Sequence, residues 1–486
     1  MRNDLRMIWL VVHRELRDQF RDWRILTPLA ILTLSFPLLM NEVAKEAVAY
    51  INQYGANLVV DRLVPFSILI IGFFPITISL VVALESFVGE KERGTIEPLL
   101  SSPLENWHLY FGKLLVGIFT PLIAGYASII FYVIIVSHQH LHMPDVYVFV
   151  QLFMLTTAHA ILMVSAAIVI SVQSTSVRAA NLLASFIVVP VAILMQGESA
   201  LLFWGNDQVL WLAVAAVIVM AALLIRVGIA HFQREYLLGR EFDTLNLRWI
   251  WKTFWRTFKG EARTLGGWYR REVAGAMRQL AIPLAINTLI ALLAYWAGYQ
   301  WSVINIPRML PNALTKNVSE IAKNAIQSTS IAQLGQHLSA GFILVNNVRT
   351  TFVASLGGMI SFSVIGVLVF LYNYGLVGAV LGVLKLLGYS PTLMFITAIL
   401  PHGVFEIPAY IVASAVVLRI GAVLATPQLG KSMGQIALEL IADWAKIFIG
   451  LVIPLLIVAA AIEAYVTPAI LLYALSHFTP AVLPGY

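Results

Sequence analysis

The strongest constraint on this chain is a succession of apolar runs, each separated from the next by a short charged or turn-rich stretch. A hydrocarbon core about 30 Å thick takes roughly 20 helical residues to cross. In the first half such runs fall near 25–40, 64–84, 114–136, 152–171, 182–195 and 209–229. In the second they fall near 281–297, 352–372, 376–387, 393–418 and 447–470. Lipid offers no water to backbone N–H and C=O groups, so helices that satisfy their own are the expected form. The expected fold class is therefore all-α, a polytopic membrane helical bundle with about six spans followed by about five. The run at 376–387 is short and glycine-rich, and fits either a span or a re-entrant piece covered by protein. With 60% hydrophobic and 12% charged residues over 486 positions, a soluble globular surface is excluded.

The charges that remain are unevenly placed. Between residues 231 and 280, ten Lys/Arg stand against five Asp/Glu, with Trp249, Trp251, Trp255 and Trp268 among them. Basic and aromatic residues together suit an anionic lipid surface, and beside two hydrophobic bundles lipid is favoured over nucleic acid. Six arginines precede Ile25, and with Lys91, Arg93, Lys113, Arg178 and the basic stretch they fall on one side, against Lys45 and Arg62 on the other. That asymmetry puts the N-terminus and the loop at 85–104 in the cytoplasm. In the second half, Arg308, Lys316, Lys323 and Arg349 outside nearly balance Arg419, Lys431 and Lys446 inside, so the topology there is carried over from the first half.

The opening residues, MRNDLRMIWLVVHRELRDQFRDWR, lack the apolar core and cleavage site of a signal peptide, and the N-terminus is expected to be retained. Ile8, Val12, Leu16 and Phe20 recur every four residues, with Arg14, Arg17, Asp18 and Arg21 on other faces, as in a helix lying along the interface. The chain has no cysteine, which excludes a disulfide framework and a thiolate metal site.

Between the second and third runs stands ESFVGEKERGTIEPLLSSPL, residues 85–104, with Glu85, Glu90, Glu92 and Glu97 crowded beside Lys91 and Arg93. Gly89 and Gly94 are expected to break the helix, and Thr95 to cap a short one at 96–100. Ser102, Pro103 and Glu105 then read as a capping box for the next span. A short charged helix tied to two spans is what a soluble motor needs to grip. The segment resembles the signature of ABC-2 type transporter permeases, a Glu-rich stretch running Gly-Thr-x-Glu-x-Leu-Leu-x-x-Pro. HRELRDQFRD, residues 13–22, is similar to that family's elbow helix. The resemblance covers roughly residues 1–229. It implies an ATP-driven exporter whose ATPase, with its ATP and Mg, is a separate subunit. The coupling element would be Glu90, Glu92, Gly94, Thr95, Glu97, Leu99, Leu100 and Pro103, with Glu85 leading into it.

The second half carries NNVRTTF at 346–352 and LPHGVFEIPAYIVA at 400–413. Pro401, Gly403 and Pro408 are expected to interrupt a helix, while His402 and Glu406, four apart, share a face. A glutamate at membrane depth is costly unless paired or wet, and Arg349 or His402 is the expected partner. A substrate or proton site is a second use of such a group, and a metal site a third and less favoured one. Asn346, Asn347, Arg349, Pro401, His402, Gly403 and Glu406 together resemble the motifs of the stage II sporulation protein M family. That resemblance covers roughly residues 280–468 and implies membership and fold more than mechanism.

Enzymatic readings have weaker support. The His402 to Glu406 segment lacks the second imidazole of a His-Glu-x-x-His zinc motif. ATPQLGKS, residues 425–432, fits a relaxed nucleotide loop but follows a membrane helix, and Pro427 removes an N–H from the cradle. HQHLH, residues 138–142, reads as solvated loop histidines more than as a zinc site. The expected organisation is a permease domain at 1–230, a basic interfacial linker at 231–279 and a sporulation-M-like domain at 280–486, with no cofactor or metal held by the chain. Expected partners are an ABC ATPase, a second copy or another permease, and anionic lipid. The expected site is a prokaryotic cytoplasmic membrane. The alternative is a membrane scaffold or remodelling protein on a transport-inactive permease fold.

Overall fold

A computed structural model describes residues 2–54, 57–97, 101–139, 143–174, 177–204, 207–232, 247–309, 339–426 and 433–477. Every regular element among these residues is a helix. Among the described residues eight helices are long and apolar enough to cross a membrane, so the chain is a multi-pass membrane protein. It divides into two compact units, Met1–Leu245 and Asn246–Leu424 with Gln428–Tyr486.

The first unit begins with α1 (Arg2–Gln19), followed by six long helices: α2 (Trp23–Tyr54), α3 (Asn57–Glu92), α4 (Asn106–Ser137), α5 (Val146–Gln173), α6 (Val177–Trp204) and α7 (Asp207–His231). Each apolar run of the first half lies inside one of α2–α7. Helix α1 lays Ile8, Val12 and Leu16 against Val116, Trp107 and Phe111 of α4. Gly112 permits this approach, since a Cβ there would stand 2.6 Å from the Val11 side chain. Leu5, Trp9 and Leu10 are left exposed, an apolar face suited to the bilayer boundary. Phe20, expected on the packed face, lies past the end of α1 and is exposed.

The second unit starts with α8 (Leu247–Lys259) and a helical run we call α9, made of Leu265–Trp268, a π turn at Tyr269–Val273, and Ala274–Arg278. Helix α10 (Ala281–Met309), α11 (Ala340–Ile360) and α12 (Val364–Leu386) follow. Helix α13 runs from Pro391–Met394 through a π turn at Phe395–Ile399 into Leu400–Leu424. Helix α14 runs likewise from Met433–Ile447 through Phe448–Val452 into Ile453–Tyr465, and α15 (Thr467–His477) closes the unit. Charged groups tie α9 to the bundle. Lys446 reaches Glu272 at 3.3 Å and Asp443 at 3.0 Å, and Asp443 also pairs with Arg419 at 3.1 Å.

Three expectations change here. The run at 352–372 is cut by a turn at Ser361–Ser363, where Phe362 and Ser363 take φ of 49° and 80°. The Ser363 hydroxyl donates to the Val417 carbonyl at 2.9 Å, and Ser361 Oγ accepts from Ile365 N–H at 2.9 Å. Residues 376–387 are no re-entrant piece but the second half of α12. Their glycines serve close packing, for a Cβ on Gly378 or Gly382 would collide with backbone or side chain of α10. Finally, Pro401, Gly403 and Pro408 do not end a helix. The π turn before Pro401 absorbs its ring and missing N–H, and the helix continues through Gly403 and Pro408 to Leu424.

Candidate functional site

In the first unit the charged signature is a knot of helix ends rather than a solvated loop. Helix α3 passes through Gly89 unbroken and stops at Gly94, whose φ of 67° is the left-handed conformation glycine adopts without strain. Gly94 N–H donates to the Lys91 carbonyl at 3.1 Å and Thr95 N–H to the Glu90 carbonyl at 3.0 Å, a Schellman stop. The Thr95 hydroxyl turns back to the Glu90 carbonyl at 3.4 Å instead of capping the next turn. That turn begins at Ile96, and Ser101 N–H donates to the Glu97 carbonyl at 2.9 Å. Leu99 and Leu100 lie outside the described residues. The capping box falls three residues later than the sequence suggests: Glu105 is the N-cap of α4, and its N–H donates to His108 Nδ1 at 3.1 Å. Pro103 is an exposed turn residue ahead of it.

The side chains of this stretch are committed to other helices. Glu90, expected to face solvent, is 7% exposed and pairs with Lys113 of α4 at 3.2 Å. Lys113 also pairs with Glu15 of α1 at 3.3 Å, donates to the Ser86 carbonyl at 2.7 Å and stands 4.9 Å from the Phe87 ring centre. Lys91 donates to the Val172 and Ser174 carbonyls at 2.8 and 3.2 Å, where its charge complements the C-terminal end of α5. Glu92 accepts from Val177 N–H at 2.8 Å, capping the N-terminal end of α6. Five helices thus meet through residues 90–92. Glu85 and Glu97 remain exposed.

The second unit holds a cavity of about 590 Å³ between α10, α11, α12, α13 and α14. Asn346, Asn347, His402, Gly403 and Glu406 are among its lining residues. Asn347 Nδ2 donates to Glu406 Oε1 at 2.9 Å, and His402 Nε2 lies 3.7 Å from Glu406 Oε2. His402 Nδ1 is 3.1 Å from the Thr467 hydroxyl. The Glu406–Arg349 pairing does not form: Arg349 is exposed and donates to Asn346 Oδ1 at 3.4 Å, because its place on α11 points away from Asn347. Sequence reasoning missed Glu463 of α14, whose carboxylate lies within 4.8 Å of the His402 and Glu406 ligand atoms. It also missed Tyr374 and Tyr410, which line the same cavity. Of the histidine loop at 138–142 only His138 and Gln139 are described, with His138 Nδ1 2.7 Å from the Ile134 carbonyl. Of residues 425–432 only Ala425 and Thr426 are described.

One stability prediction follows from this geometry. Arg349→Ala should change thermal unfolding of the detergent-solubilised protein by less than about 0.5 kcal/mol, as for an exposed side chain. Its effect should add to that of Glu406→Ala, since the two share no contact. Non-additivity in that double-mutant cycle would contradict the arrangement.

Comparison with known proteins agrees with both units. The family described as ABC-2 family transporter protein matches residues 9–205, and stage II sporulation protein M matches residues 283–468. Over its first unit the chain is similar to membrane transport proteins of the permease class. More specifically, it joins an ABC-2 family transporter domain to a stage II sporulation protein M domain. An uncharacterized protein of Methanocaldococcus jannaschii is 32% identical over 134 residues, 28% of this chain and 74% of the relative. No solved structure matches.

Proposed function

We propose that the chain is the permease subunit of an ATP-driven exporter whose ATPase is a separate protein docking on residues 85–104. The observation that carries this is the knot at residues 90–92. A push on the turn that begins at Ile96 passes through Glu90 and Lys113 to α1 and α4, through Lys91 to α5 and through Glu92 to α6. A motor protein gripping that turn would move five helix ends at once. The chain itself hydrolyses nothing in this reading; ATP and Mg belong to the partner.

Arginine and lysine placement supports a cytoplasmic N-terminus and a cytoplasmic docking face, in the cytoplasmic membrane of a prokaryote. A second copy of the chain, or another permease, completes the translocation path. Helix α8 would rest on anionic headgroups, with Trp249, Trp251 and Trp255 exposed beside Arg248, Lys252, Arg256 and Lys259.

The test separates docking from folding. Glu97→Lys reverses an exposed charge, and should abolish co-purification of the ATPase while leaving the unfolding temperature unchanged. If the ATPase is retained at physiological salt, or no nucleotide-hydrolysing subunit co-purifies with the unaltered chain, the proposal fails.

A further inference from the structure

We propose that His402, Glu406 and Glu463 form a mixed nitrogen and oxygen site for one divalent first-row transition metal ion, open to the cavity of the second unit. His402 and Glu406 sit four residues apart on α13, and Glu463 faces them from α14. One atom from each lies within 4.8 Å of the other two. Ligands at about 2.1 Å from a tetrahedral ion stand roughly 3.4 Å from each other. The 3.7 Å between His402 Nε2 and Glu406 Oε2 is close to that spacing. Glu463, within 4.8 Å of both, needs a closing movement of at most about 1.4 Å to reach that spacing, within the range of side-chain rotation.

The surroundings are those of a ligand set. Thr467 holds the far ring nitrogen of His402, which fixes the imidazole with Nε2 toward the carboxylates. Asn347 donates to Oε1 of Glu406 and the Tyr410 hydroxyl also bonds this carboxylate, while Oε2 stands 3.7 Å from His402 Nε2. No lysine or arginine is found among the described residues that line the cavity. Two carboxylates within helices of membrane-spanning length are costly as anions, and a dication with a neutral imidazole would balance their charge. Tyr374, which also lines the cavity, is nine-tenths buried, and its hydroxyl has no hydrogen-bond partner among the described residues.

The donors select the ion. One imidazole with two carboxylates suits zinc, manganese, iron or cobalt, whereas magnesium and calcium prefer all-oxygen shells of higher number. Three protein ligands leave coordination positions free, as in sites that bind a further molecule rather than closed structural ones. The cavity supplies the room for it.

The experiment uses the full chain in detergent, stripped with chelator, with His138, His140 and His142 replaced by alanine so that the outer loop contributes no binding. Cobalt and zinc are the probes. We expect one cobalt ion per chain, with a visible absorption band that zinc displaces and that millimolar magnesium or calcium does not. Glu463→Gln and His402→Asn, which keep size and hydrogen bonding, should each weaken zinc affinity by at least tenfold and remove the rise in unfolding temperature that zinc gives. Arg349→Ala should leave both unchanged. Absence of bound cobalt in the unaltered ligand set, or affinity retained in Glu463→Gln, would overturn the site. Should His402→Asn fail to fold, Glu463→Gln alone decides.

Discussion

Lys113→Met should destabilise the first unit by on the order of 3–5 kcal/mol, the cost of removing one partner of a buried ion pair. The Lys113 side chain is 1% exposed, and its ammonium faces Glu90 and Glu15 with the Ser86 carbonyl. Methionine keeps the apolar stem but not the ammonium, so the effect reads the loss of the charge together with its ion pairs, its bond to the Ser86 carbonyl and its contact with the Phe87 ring. The two carboxylates will not suffer equally. Glu15 has a 19% exposed side chain and can turn toward water, whereas Glu90 at 10% is held by a helix that ends two residues later. Glu90→Gln should therefore restore much of the loss when combined with Lys113→Met, and Glu15→Gln should restore less. Thermal unfolding of the purified protein, read as a double-mutant cycle, measures both couplings. A Lys113→Met protein within about 1 kcal/mol of the parent would mean that the knot does not hold these helices together.

That prediction reverses an expectation from sequence, and the reason is physical. A crowded run of glutamates between two apolar stretches reads as solvated because its neighbours in sequence are polar too. Its buried member, Glu90, pairs with Lys113, which also holds Glu15, and both lie on helices the motif cannot point to. A different signal was legible and carried more information: Lys113, Glu198 and Glu463 each stand inside an apolar helix, where an ionisable side chain is costly unless it has a partner. Lys113 proved to be the centre of the knot and Glu463 the third member of the cavity cluster. Glu198 lies 3.4 Å from His159 with both side chains nearly fully buried, a pairing neither motif announced.

The helices themselves were legible because run length and apolarity set them directly. Their ends were legible only where a residue type enforces one. Gly94 stops α3 in the left-handed conformation, and the sequence pointed to it. The turn at Ser361–Ser363 has neither glycine nor proline and interrupts apolar sequence, so nothing local marks it. It is imposed from outside, by the Ser363 bond to Val417 and the close approach of Gly421. Pro401 and Pro408 failed as stop signals for the opposite reason: in a packed membrane bundle the freed backbone groups find other partners, so proline is tolerated.

Two glycines of α12 should respond oppositely to the same substitution, and the contrast tests whether packing is what the glycine-rich stretch serves. A Cβ on Gly378 would collide with the Tyr295 carbonyl and lie 3.0 Å from Tyr299 N, both backbone atoms of α10. Backbone cannot rotate aside, so Gly378→Ala forces the two helices apart, at a cost of about 1–3 kcal/mol or more for overpacking. A Cβ on Gly375 would meet its nearest atom, the Ala294 carbonyl, at 3.6 Å, an ordinary contact. Gly375→Ala should then be neutral or stabilising by up to about 1 kcal/mol, since alanine favours helix over glycine by that amount. Larger side chains sharpen the difference: Gly378→Leu should prevent α10 and α12 from packing and yield little folded protein. Unfolding temperatures of the two alanine variants in one detergent decide the matter. Equal shifts in the same direction would mean that backbone freedom, as in a re-entrant segment, is what these glycines supply, and not the close crossing of α10 and α12.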